Sequence, residues 1–254
     1  MLESPLIILL IFSAGIVVAY INTLAGMATA ISYALFMSLG LPINIANGTT
    51  RPGIFAQFSL TSFLFKQKGL LDLKLALKIG IPVAIGSVSG AQLAAVLKPT
   101  YIEVTMAILL PIVSLFILFF NKNQSKLLIE FKKRFKSNIV RTILFIIIGI
   151  YGGFTHSGVG ILIIFATMFF YDLTASQANA VKQFAVFIYS PLALAIFIIH
   201  KQVNWPIALI YAAGNLIGAY FASKTAFKVS EKFINWFIFI VVISISLWLI
   251  IRNL

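Results

Sequence analysis

The sequence predicts an all-α integral membrane protein of two inverted repeats of transmembrane helices. Each repeat opens on a broken or re-entrant segment, and the length gives room for roughly eight to ten membrane segments. Three observations carry this. Of 254 residues, 61% are hydrophobic and 10% charged, with a mean hydropathy of +1.07, far from the balance of a soluble domain. The stretch Ile21 to Arg51, INTLAGMATAISYALFMSLGLPINIANGTTR, returns as Gly153 to Gln183, GFTHSGVGILIIFATMFFYDLTASQANAVKQ. One offset, 132 residues from Gly26 to Gly158, pairs Thr23/Thr155, Leu41/Leu173, Ala46/Ala178 and Asn47/Asn179 as well. The net charge of +13 lies in short basic runs between apolar spans, as in loops on a cytoplasmic face. The expected partner is therefore the lipid bilayer, with no nucleic acid.

Residues 1–120 form the first repeat, 121–138 a basic cytoplasmic linker and 139–254 the second repeat. Met1 to Tyr20 is apolar, but it carries Glu3 and no Lys or Arg ahead of its hydrophobic run, so it is expected to stay as structure. Its counterpart, Asn138 to Tyr151, follows a basic loop and cannot be a leader. The chain breaks at Asn22 to Gly26, is helical in composition over Met27 to Leu39, and turns at Gly40-Leu41-Pro42, residues that close helices. Ile43 to Phe65 is the next span, interrupted by Gly48, Arg51, Pro52 and Gly53, where proline removes a backbone donor and weakens the preceding helix. Lys66 to Lys78 is a basic connection. Ile79 to Leu97 carries Gly86 and Gly90 on one face, a spacing that lets helices approach closely in lipid; Gly214 and Gly218 in the matching span support packing over binding. Tyr101 to Phe120 completes the half.

After the polar segment Asn121 to Arg141, the plan recurs: Ile139 to Tyr171 with a break at Gly152 to Gly160, then Ala175 to Ile199, Trp205 to Phe227 and Phe233 to Ile251. The offset also pairs Phe65/Phe197, Asp72/Asn204, Ala76/Ala208, Leu77/Leu209, Gly86/Gly218 and Ala94/Ala226, so the duplication covers nearly the whole chain. If each broken segment enters and leaves on one side, every repeat has an odd number of net traversals and the repeats are inverted. With the linker in the cytoplasm, the Lys66 to Lys78 and Lys224 to Lys232 loops fall there too, leaving Lys98, Lys201 and Arg252 outside. The positive-inside rule favours this topology over one with a single long crossing at each break.

Small and polar residues inside apolar sequence mark backbone that must line a protein cavity. Gly26, Gly158 and Gly160 are the expected helix-break glycines. Arg51 and Lys182 fall within spans, each just after the shared Ala-Asn pair; a charge there costs roughly 3 kcal/mol or more unless it meets a cavity or a partner. The competing reading is that both snorkel to a nearby interface. The six acids, Glu3, Asp72, Glu103, Glu130, Asp172 and Glu231, all lie at or near loops, which argues against a carboxylate site for sodium or protons. Cations, break amides and polar side chains without acids suit an anion. The candidate ligands are Lys182, Arg51, Asn47, Asn179, Thr49, Thr50, Thr155, His156, Ser157, Asn22, Thr23 and Gln183. His156 either takes a proton or donates to the substrate near neutral pH, or is a satisfied buried histidine; Tyr33, Gln57 and Tyr151 either reach the cavity or pack. Gly158-Val159-Gly160 lacks the Gly-Lys-Ser/Thr of a phosphate loop. With no cysteine and two histidines, no metal or cofactor is expected. The Ser157/His156 pair has no evident third member, so no enzyme is expected either.

A glycine-containing break, a Gly-Leu-Pro turn, an Ala-x-Gly-Thr segment, and then GGFTHSGVG, QANAVKQ and KQVNWPIALIYAAGNLIGAY resemble the TauE/SafE family, sulfite exporters or anion permeases of bacterial inner membranes. The resemblance extends over nearly all of the chain. It implies movement of sulfite, small organosulfonates or related sulfur-containing anions, and makes Lys182 the lysine of the second-half motif. The sequence departs from the family at AGMATA, where Met27 and Ala28 replace glycines of a denser cluster. The expected mechanism is alternating access about a central anion, with Arg51 and Lys182 supplying charge and Asn47, Asn179, Thr49, Thr50, Thr155 and Ser157 hydrogen bonds. Export of a monoanion needs no coupling ion when the cell interior is negative. An anion channel, or an uptake permease coupled to protons through His156, is the alternative, and a homodimer is left open.

Overall fold

The structure, a computed structural model, describes residues 4–24, 26, 28–119 and 137–225, together with 240, 243 and 247. Its elements are α1 (Pro5–Leu24), α2 (Thr29–Ser38), α3 (Ile43–Gln67), α4 (Leu73–Val96), α5 (Pro99–Phe119), α6 (Asn138–Phe154), α7 (Val159–Tyr171), α8 (Ala175–Ile199) and α9 (Trp205–Thr225). No strand occurs among the described residues. α1, α4, α8 and α9 are each long and apolar enough to cross a bilayer, so the chain is a multi-pass membrane protein. All but the last two residues of the 121–138 linker, and most of the Phe233 to Ile251 span, lie outside the described residues.

The sequence offset is also the offset of the helices. Moving α3 by 132 residues reproduces the bounds of α8, and the starts of α4 and α9 correspond in the same way. The local causes repeat too. Asp72 Oδ1 accepts from the Leu75 amide at 3.0 Å, and its counterpart Asn204 accepts from the Ile207 amide at 3.3 Å through Oδ1, each occupying a donor left open at a helix start. Thr174 and Gln177 form a reciprocal capping box on α8; at the matching position Pro42 enters α3 instead. α4 starts at Leu73, six residues ahead of the span expected from hydropathy, because Asp72 caps it there. α3 runs unbroken through Pro52: the interruption expected at Gly48 to Gly53 does not occur, and those residues serve contacts with neighbouring helices.

Packing is reciprocal between the halves. α4 packs on α6 and α8, and α9 packs on α1 and α3. A Cβ added at Gly86 or Gly90 would overlap the carbonyl oxygens of Ile146 or Ile150, and one at Gly149 or Gly153 those of Val83 or Ser87. On the other side, Gly214 and Gly218 lie against the carbonyls of Phe12 and Ile16. These contacts are backbone on backbone, so the glycines serve packing, as their spacing suggests. In each pair the contacts advance in the same sense along both helices, which makes α4 parallel to α6 and α9 parallel to α1. Gly48 against Gln202 and Gly53 against Tyr211 align α3 with α9, and Gly80 against Ala185 and Ile188 places α8 beside α4. The short Lys68 to Asp72 turn returns the chain between α3 and α4.

Candidate functional site

Two helix breaks meet at the centre. α1 stops at Leu24 and α6 at Phe154, each followed within a few residues by a new helix. Gly26 has φ 80° and Gly158 φ 86°, left-handed values that exclude a Cβ at little cost only for glycine. This aligned glycine pair is therefore the conformational requirement of both breaks. Gly160 lies inside the first turn of α7 rather than in the break. A Cβ built on it would stand 2.9 Å from Gly26 Cα, so Gly160 is where one break touches the other.

Each break ends a helix whose last carbonyls have no intrahelical partner and a partial negative charge. In both cases the carbonyls are met by a cation from the opposite half. Arg51, on α3, donates through Nη1 to Gly152 O at 3.1 Å and through Nη2 to Gly153 O at 2.7 Å. Asn47, one turn earlier, donates to Phe154 O at 2.8 Å, while its Oδ1 accepts from Arg51 Nε at 3.2 Å and Nη2 at 2.9 Å. On the other side Lys182, on α8, donates through Nζ to Asn22 O at 2.9 Å and Thr23 O at 3.1 Å. Gln183, the counterpart of Arg51 at the repeat offset, donates to Thr23 O at 3.0 Å and to Asn179 Oδ1 at 3.1 Å. Both cations are fully buried, which sets aside the snorkelling alternative. Among the described residues their hydrogen-bond partners are carbonyl and amide oxygens. The buried Glu103 lies near the start of α5.

His156 sits in the second break, 2% exposed. Its Nδ1 is hydrogen-bonded to the Tyr189 hydroxyl at 2.5 Å, and its backbone amide donates to Tyr33 Oη at 3.2 Å. Tyr33 in turn donates to Asn47 Oδ1 at 3.2 Å, linking histidine to the Arg51 group. Phe58 joins it to the other cation: its ring centroid is 5.5 Å from that of His156 and 5.6 Å from Lys182 Nζ. Thr155 Oγ1 and Gln57 Oε1 are buried with no hydrogen-bond partner among the described residues.

The remaining candidates divide. Asn22 spans the first break, donating to Thr29 Oγ1 at 2.8 Å and accepting from the Ala28 amide at 2.6 Å. Thr23 accepts from Gln57 and bonds back to Ala19 O. Ser157 is buried, its carbonyl accepting from Tyr151 Oη at 2.7 Å. Thr50 bonds to Asn47 O within its own helix, and Thr49 accepts from the Asn204 amide at the start of α9, which ties it to a loop. Asn179 is half-buried beside Gln183. Tyr189, unremarked in the sequence, has a detectable signal: it is the counterpart of Gln57 at the 132-residue offset. Phe58 and Thr61, which donates to Gln183 Oε1 at 2.9 Å, carry no comparable mark.

Chemically, the arrangement concentrates two cations and several hydrogen-bond donors in a buried centre between two breaks of the helix backbone. Comparison with known proteins agrees in kind. Residues 11–249 match the model of the family described as sulfite exporter TauE/SafE. A probable membrane transporter protein, ORF9, of Sinorhizobium sp is 24% identical over 241 residues, 94% of this chain and 91% of that protein. A probable membrane transporter protein of Haemophilus influenzae is 23% identical over 215 residues, 85% of this chain and 83% of the relative. No solved structure matches. With the family match running through both repeats and both breaks, the chain belongs to the sulfite exporter TauE/SafE family and is a membrane transporter rather than an enzyme.

Proposed function

We propose that the protein exports sulfite or a small organosulfonate across a bacterial inner membrane by alternating access, with the anion bound between the two breaks. The observation that carries this reading is the pair of fully buried cations, Arg51 and Lys182, whose partners are carbonyl and amide oxygens. Two helix C-termini offset about half a charge each, so at least about one positive charge is left for a ligand to neutralise. Lys182 uses two of its three donors, and Thr155 Oγ1 is unpartnered; both suit a sulfonate oxygen.

Chain direction supports inverted repeats: α1, α3 and α9 run one way, while α4, α6 and α8 run the other, so counterparts are opposed. With the basic linker on the cytoplasmic side, the same cations would face either compartment as the halves rock. In the conformation described, Arg51, Lys182 and His156 are all closed off from solvent. The cations hold each half's broken helix from the other half; an arriving anion competes for these donors and loosens both joints together. Expelling a monoanion from a negative interior is favourable by about 2.3 kcal/mol per 100 mV, so export requires no coupled ion.

Ligand-dependent stability tests the substrate class. A ligand at about 100 times its Kd stabilises the folded state by about 2.7 kcal/mol. Sulfite and methanesulfonate are expected to raise the unfolding temperature of the purified protein in a saturable manner, with chloride at equal ionic strength producing no saturable rise. Equal behaviour of all three anions would contradict the substrate assignment.

A further inference from the structure

We infer, building on the anion site proposed above, that sulfite is bound in its singly protonated form, hydrogensulfite, and that Gln57 accepts its proton in a hydrogen bond. One observation concerns charge and the other concerns an acceptor that the protein leaves open. Arg51 and Lys182 are fully buried, and the two helix ends they meet offset about half a charge each, which leaves about one positive charge. A monoanion balances that centre. A dianion would leave a negative charge buried and uncompensated, which is costly.

Gln57 lies on α3 with no exposed surface. Its Nε2 donates to Ala19 O at 3.3 Å and to Thr23 Oγ1 at 3.2 Å. Because a backbone carbonyl can only accept, the end of the amide that meets Ala19 O must be the nitrogen; turned over, the group would set Oε1 against that carbonyl. Oε1 is thus an acceptor of fixed identity, buried and without a hydrogen-bond partner among the described residues. A buried polar atom in this state calls for a donor. Thr23 joins it to the nearer cation, since the Thr23 hydroxyl accepts from Gln57 while the Thr23 carbonyl accepts from Lys182 Nζ at 3.1 Å.

The sulfite dianion offers acceptors alone. Hydrogensulfite offers oxygens to the unused donor of Lys182 and to Thr155 Oγ1, also unpartnered, and an O–H to Gln57 Oε1. The duplication supplies a contrast: Tyr189, the counterpart of Gln57 at the 132-residue offset, is bonded through its hydroxyl to His156 Nδ1. The equivalent position in the other half is therefore satisfied from within the protein, and the open acceptor belongs to the first break. Sulfite takes up this proton in water near neutral pH, so no bond is made or broken in the site. Each export event carries one proton out together with one net negative charge.

The test is isothermal titration calorimetry of the detergent-purified full chain with sulfite and with methanesulfonate, from about pH 6 to about pH 8.5, in buffers of different ionisation enthalpy. Methanesulfonate stays singly charged over this range and has no proton to offer. The titratable and charged groups around the centre are Arg51 on α3, Lys182 and Tyr189 on α8, His156 in the second break, Tyr33 on α2, Tyr151 on α6 and Tyr211 on α9; methanesulfonate records any change in them. Above neutral pH, sulfite binding is expected to weaken about tenfold per pH unit relative to methanesulfonate and to draw about one extra proton from the buffer for each anion bound. Gln57→Leu should weaken sulfite binding about tenfold more than methanesulfonate binding, the worth of one hydrogen bond. Matching pH courses for the two anions on the native chain, with no extra proton drawn, overturn the inference, and so does an equal loss of both in a folded Gln57→Leu protein. If that variant does not fold, the native titrations decide alone. Binding of neither anion at any pH would instead remove the anion site itself.

Discussion

Replacing Lys182 by methionine is expected to abolish anion flux while leaving the protein within about 2 kcal/mol of its native stability, because an unneutralised buried cation costs as much as its hydrogen bonds return. The stem of Lys182 packs on Gly160, with Cδ 3.1 Å from a Cβ built there, and methionine retains that volume. Of the two carbonyls released, Thr23 O keeps the Gln183 amide at 3.0 Å, so Asn22 O is the one that loses its cross-half donor. Arg51→Met should behave differently. It strips the Gly152 and Gly153 carbonyls of their cross-half donors and removes two of the donors to Asn47 Oδ1, costing about 3 kcal/mol or more at roughly 1 to 3 kcal/mol for each buried group left unmade. Thermal unfolding and flux measured on both variants separate the outcomes. A folded Lys182→Met protein that transports like the native one would remove Lys182 from the anion site.

The second large effect is structural. Gly86→Val is expected to eliminate folded protein from the membrane, because its Cβ would lie on the Ile146 carbonyl and 2.9 Å from the Ile150 amide. Both are backbone atoms, so no rotamer change relieves the overlap, and α4 must move away from α6 at a cost of several kcal/mol. The damage reaches the site, since α6 presents the carbonyls that hold Arg51. Gly80→Ala is the milder control: its Cβ would meet Ile188 Cδ1 at 2.8 Å, the free end of a flexible side chain that can shift, and Ala185 Cα at 3.3 Å, which needs a backbone adjustment of only a few tenths of an ångström. The fraction of monodisperse protein after mild extraction should collapse for Gly86→Val and change little for Gly80→Ala. Equal recovery of the two would mean that the α4 and α6 backbones are not in the contact described.

Much of this was legible in the sequence because the duplication acts as an internal alignment. Gly26 and Gly158, paired by the offset, are the residues with positive φ at the two breaks. Asp72 and Asn204, paired in the same way, cap corresponding helices. Gly86 and Gly218, at four-residue spacing from Gly90 and Gly214, turned out to be backbone contacts. Continuity of α3 through Pro52 was not legible, since composition shows the missing donor and not the neighbours that hold the helix on both sides. The partners of the two cations were equally hidden: intramembrane charge marks Arg51 and Lys182 as special, but their carbonyl partners lie about a hundred or more residues away in the opposite half. Thr49 shows the reverse case, a polar residue beside the Ala-Asn pair that the helix turns toward Asn204 instead of the breaks.

The most direct measurement is efflux of sulfite from proteoliposomes containing the native chain, at zero potential and at about 100 mV inside negative, over a range of sulfite concentrations. The account predicts efflux that saturates with concentration and that is accelerated by the inside-negative potential, with no added sodium and no proton gradient. Efflux that rises linearly with concentration, or that is absent at both potentials, would contradict an alternating-access anion site between the two breaks.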